Sequence, residues 1–174
     1  MSPKWSVFVL YEEATARDRS LRFCDTLVQR FWSEFSFEVS WCEWLELDVP
    51  KETKVAALKA CEADLIIVAT APGGALSPRL RCWLEAVLRD RGDREGVLVG
   101  LPVAESGLSE VAAATQVYLR KLAHESGMDY LTAVPQSLAL RVPDSLESYN
   151  LRASQVTSVL DSILHQSCLP QRML

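Results

Sequence analysis

The chain has 174 residues, 49% of them hydrophobic and 24% charged, the composition of one globular domain whose core can stand without disulfides or a structural metal. Eighteen basic residues against 23 acidic ones leave a net charge of −5, so the chain lacks the basic field that gathers nucleic acid or an anionic membrane. No apolar run approaches the ~20 residues of a membrane helix, and Met1 to Ser6 lacks the apolar core of a signal peptide. These features predict a soluble, cytoplasmic protein.

Val7-Phe-Val-Leu-Tyr11 is a short continuous apolar run that reads as a first strand. Leu21, Cys24, Leu27, Val28, Phe31 and Phe35 follow at helical spacing. Phe37, Val39 and Trp41 alternate with polar neighbours, the pattern of a half-buried strand, and a Pro50-initiated stretch with Val55, Leu58 and Cys61 reads as a second helix. Leu65 to Ala69 is fully apolar. After the turn Pro72-Gly-Gly74, Ser77-Pro78 opens a helix, the serine capping free amides and the proline needing no donor at the first helical position. Its inward stripe is Leu80, Trp83, Leu84, Val87 and Leu88. Val97 to Leu101 is a fourth strand; Ser109-Glu110 opens a helix carrying Val111, Thr115, Tyr118, Leu119 and Leu122, and Gly127 stops it. Tyr130 to Val134 gives a fifth strand, and Val156, Val159, Leu160, Ile163 and Leu164 mark a last helix.

Five strands alternating with helices predict a parallel sheet covered on both faces, because parallel neighbours need crossover connections. Strands one, three and four are continuous apolar runs, as central strands are, whereas two and five are mixed and suit the edges. This is the 2-1-3-4-5 order of a flavodoxin-like α/β three-layer sandwich, expected over residues 1–166 with 167–174 as a C-terminal tail. The cysteines, Cys24, Cys42, Cys61, Cys82 and Cys168, are odd in number and lack a C-x-x-C pair. With His124 and His165 they give no zinc spacing and read as buried small hydrophobes.

In such a sheet, ligands bind beyond the carboxyl ends of the strands near the switch point between strands one and three. That selects the segments Glu12 to Ser20, Thr70 to Ser77 and Leu101 to Ser109. The first offers Thr15, Arg17 and Ser20 ahead of a helix, groups able to hold a phosphate where free amides and the positive dipole end already point. Glu12 and Glu13 stand just upstream and no glycine lies in the segment; a solvated, charge-mixed turn is the plain alternative.

Thr15-x-Arg17-x-x-Ser20 after a first strand resembles the phosphate loop of the NAD(P)H-dependent FMN reductase family, with Ala14 where the family has glycine and Arg22 where asparagine is common. Pro72-Gly73-Gly74-Ala75, followed by Pro78, Leu80 and Arg81, is similar to the family's second flavin loop without its tyrosine and asparagine; Leu101 to Gly107 replaces a glycine-rich stretch. The resemblance covers roughly the first 110 residues. It implies that Thr15, Arg17 and Ser20 hold the FMN phosphate and that the backbone of Pro72, Gly73, Gly74 and Ala75 lies along the flavin ring. It also implies NAD(P)H as co-substrate, a small-molecule acceptor and a homodimer. No catalytic side chain or metal is expected, since the flavin carries the chemistry.

Asp64 to Val68 and Gly127 to Leu131 are similar to strands three and five of response-regulator receiver domains, with Glu12 and Glu13 at the place of their acidic pair. Ala69 stands where the phosphorylated aspartate would end strand three, and the usual lysine is replaced near Ala133 and Val134. This likeness implies a pseudo-receiver acting through protein contacts. Ser106, His124 and Asp129 lack the G-x-S-x-G elbow that a hydrolase triad would use. Trp32 and Trp83 are expected in the core; Trp41 and Trp44 either pack under the second helix or mark a contact surface. Two function classes follow, an FMN-dependent reductase and a flavin-free descendant of the fold that binds proteins.

Overall fold

A computed structural model describes residues 2–103 and 108–132. Strands β1 (Lys4–Tyr11), β2 (Ser36–Glu43), β3 (Leu65–Ala69), β4 (Val97–Leu101) and β5 (Asp129–Thr132) alternate with helices α1 (Ala14–Phe31), α2 (Pro50–Glu62), α3 (Pro78–Asp90) and α4 (Glu110–Glu125). A short 3-10 helix, Trp44–Asp48, separates β2 from α2. The sheet is wholly parallel in the order β2-β1-β3-β4-β5, as the strand textures predict: β3 is buried at every position, while β2 at the edge is mostly half-exposed. The expected fifth helix, the tail, His165 and Cys168 lie outside the described residues.

Side chains leave successive strand positions on opposite faces, which divides the core in two. Phe8, Leu10, Ile66, Val68 and Leu98 face α2, α3 and α4 through Ala56, Ala60, Leu84, Leu88 and Leu119. Val7, Val9, Leu65, Ile67 and Val99 face α1 through Ala16, Phe23 and Cys24. Among the described residues, one helix covers the second face and three cover the first.

Local signals account for most element ends. Ser77 Oγ accepts the amide of Leu80 and Ser109 Oγ that of Ala112, the two N-caps that the sequence predicts. Gly127, at φ 68°, turns the chain out of α4 in the left-handed region that suits glycine. Buried Arg91 ties the opposite end together. Its guanidinium donates to the carbonyls of Ala60, Cys61 and Ala63 at the end of α2 and to Glu95 ahead of β4, satisfying carbonyls that a helix end leaves orphaned.

Several side chains lie elsewhere than the periodicity suggests. Trp32 is 71% exposed just past α1, and Val55, Leu58 and Val111 point outward. The inward face of α2 is instead Ala56 and Ala60; small residues let that helix sit close to the sheet. Trp83 packs on Phe8, Trp44 joins the same core, and Trp41 packs on the α1 face. Cys24 and Cys42 are buried as expected, but Cys61 is half-buried and Cys82 exposed.

Candidate functional site

The carboxyl ends of β1 and β3 bring together the first two connections that sequence reasoning selects, while residues 104–107 of the third, after β4, lie outside the described residues. The first is shorter than expected. Only Glu12 and Glu13 separate β1 from α1, so Thr15, Arg17 and Ser20 occupy helix rather than loop. Between Ala14 and Phe31 there is neither glycine nor proline, and nothing delays helix formation.

Helical placement directs the three residues to different partners. The Thr15 hydroxyl bonds the carboxylate of Glu13. The Arg17 guanidinium lies 5.2 Å over the ring of Trp41, a cation–π arrangement. Ser20 is fully buried, its Oγ donating to the carbonyl of Ala16 at 2.9 Å, the back-bonding that serines adopt inside helices. As placed, the three do not converge on one phosphate.

Two residues that sequence reasoning passed over organise the switch point. Glu12 accepts the amide of Ala71 at 2.7 Å through its carboxylate, and its own amide donates to Ala69. A carboxylate thus takes an amide donor of the β3–α3 loop. Arg19, one turn into α1, donates to the carbonyl of Thr70 and, at 3.4 Å, to that of Leu101, tying together the ends of β3 and β4. In the sequence Glu12 stands out as a charge beside the phosphate segment and as one of the receiver-like acidic pair, and Arg19 as the residue between two motif positions.

The second segment is pinned from its other side. Gly73 and Gly74 both have positive φ, 102° and 70°, which carries the chain back toward α4. A Cβ on Gly74 would lie 2.8 Å from both Cα and Cβ of Ala112, so the loop backbone rests directly on the first turn of α4. The buried Thr115 hydroxyl donates to the carbonyl of Gly74. Ala112 and Thr115 therefore stand against the backbone that the flavin resemblance lays along the ring. Of the four loop residues, Pro72, Gly73 and Ala75 are exposed and Gly74 is buried.

A polar layer continues beneath. The Tyr130 hydroxyl on β5 bonds Oε1 of Gln116 on the inner face of α4, both buried, and a Cβ on Gly100 would come 2.1 Å from that oxygen. The isolated glycine within an apolar strand was the available signal, because such a glycine marks close approach of another group.

Electrostatics on the β2 side is negative. Burial raises the pKa of Tyr11 and the carboxylates of Glu43 and Glu46 raise it further. Burial and the charge of Glu46 push the Cys42 thiol up to about 12. At the end of β3, Ala69 is fully buried and carries no group that could accept a phosphoryl. Among the described residues no three acidic, histidine or cysteine groups converge as a metal site, and no helix is long and apolar enough to cross a membrane.

No family model and no curated protein matches the chain. Among solved structures, a crystal structure of S. aureus homoserine dehydrogenase at pH 7.0 is similar at 13% identity and a TM-score of 0.46, covering 75% of this chain and 33% of that one. The chain thus spans about a third of that enzyme's length, and the likeness carries no functional argument.

Proposed function

We propose that this chain is a flavin-free flavodoxin-like domain that acts by binding other proteins. The observation that carries the reading is the seating of Gly74 on Ala112, held by the Thr115 hydroxyl. It sets protein against protein at one of the four backbone positions along which the resemblance would lay a flavin ring, the buried Gly74.

The FMN-dependent reductase is a second reading favoured by one specific feature. Helix α1 begins with no side-chain cap, leaving first-turn amides beside the exposed Arg17, the elements of an anion site. One experiment separates the two. The flavin-free reading expects a purified protein without visible absorbance that stays colourless after incubation with FMN at tens of micromolar and desalting. A yellow complex of one flavin per chain overturns it and supports the reductase.

A further inference from the structure

A separate cavity of about 330 Å³ lies on the other side of the switch point, between the 3-10 helix and the start of α3. Its size falls at the small end of the ~300–1,000 Å³ typical of ligand pockets. Trp44, Trp83 and Leu80 line it together with Glu12, Asp48 and Arg79. Both indole N–H groups are buried out of solvent's reach, so the two tryptophans present ring carbon to the cavity.

The charged groups favour a cation. Arg79 is committed to the Asp48 carboxylate and to the carbonyl of Leu47, leaving the Glu12 charge as the excess at the wall. The start of α3 offers an anion little, since Pro78 has no N–H and Ser77 Oγ already takes the amide of Leu80. Aromatic surface beside carboxylates is the setting in which alkylammonium groups are recognised, the ring quadrupole and the acid both attracting the charge.

We propose that this cavity binds a small organic ammonium ion, its alkyl groups against Trp44 and Trp83 and its charge toward Glu12. The inference rests on the cavity alone and stands or falls independently of the flavin question.

The test is a titration of ¹⁵N-labelled protein with choline chloride, following the indole N–H signals of Trp44 and Trp83 at ionic strength matched with sodium chloride. Uncharged 3,3-dimethylbutan-1-ol, of the same shape, is the comparison. Saturable shifts with choline in the millimolar range are expected, with the alcohol about tenfold weaker or worse. Glu12→Gln, which keeps an acceptor for Ala71, should weaken choline about tenfold and leave the alcohol unchanged; the remaining amide signals report that the fold is intact. No saturable shift, equal affinity for choline and the alcohol, or unaltered choline binding in Glu12→Gln overturns the proposal.

Discussion

At the scale of single residues, the decisive groups are those that satisfy backbone atoms far away in sequence. Gly74 has both a positive φ and a neighbour at 2.8 Å, whereas Gly73 has a positive φ and nothing within 4 Å. Gly74→Ala should therefore cost about 2–4 kcal/mol and Gly73→Ala only about 1–2 kcal/mol, the difference being the clash with Ala112; chemical denaturation of the two variants measures it, and equal losses would deny the contact. Arg91→Met leaves several buried carbonyls without their charged donor and should cost about 3 kcal/mol, read as a lowered denaturation midpoint. Asp64 gives a pH dependence. Burial pushes its pKa up, but hydrogen bonds from the Ser6 amide, Arg94 and the Ser6 hydroxyl outweigh it, so the folded value lies below the ordinary 3.8. A depressed folded pKa stabilises above the unfolded value and the benefit is lost as pH falls through the folded one. Wild type should therefore exceed Asp64→Asn in stability at neutral pH, and the gap should close below about pH 4; a gap that persists into acid would contradict the assignment. None of these roles was legible in sequence. The partners of Arg91 at the end of α2 lie about 30 residues away and Thr115 reaches back 41, and composition carries no trace of such distances.

At the scale of elements, legibility follows how strongly one physical signal dominates. Leu65–Ala69 reads as a central strand because every residue is apolar, and α3 reads correctly because serine cap, proline and leucine stripe agree. Helix α2 misleads because its inward face is alanine while valine and leucine point outward, so the usual hydrophobic weighting selects the wrong side. Helix α1 misleads at its start, where a motif reading kept Thr15 to Ser20 as loop although helix formers fill the segment. The energetic counterpart is testable by alanine. Ser77→Ala and Ser109→Ala each remove a real cap and should each cost about 1 kcal/mol, whereas Thr15→Ala, exposed in the first turn and capping nothing, should stay within about 0.5 kcal/mol of wild type. Thermal unfolding of the three resolves the difference, and a Thr15 loss as large as that of Ser77 would restore a structural role for the motif.

At the scale of the whole molecule, the order β2-β1-β3-β4-β5 was legible because strand texture reports depth in the sheet, and the switch point follows from that order alone. What lies at the switch point was not legible, because it depends on which backbone atoms the loops use for one another. Glu12 bonds the β3–α3 loop, Arg19 ties β3 to β4, and Gly74 rests on α4. The same end of the fold that resembles a flavin site in sequence is thus stitched by protein–protein contacts. The most direct measurement is the nuclear Overhauser effect between the Gly74 α-protons and the Ala112 methyl, recorded with and without excess FMN. The effect should be present and unchanged by the flavin; its loss, together with effects from flavin ring protons to Ala112, would contradict the account.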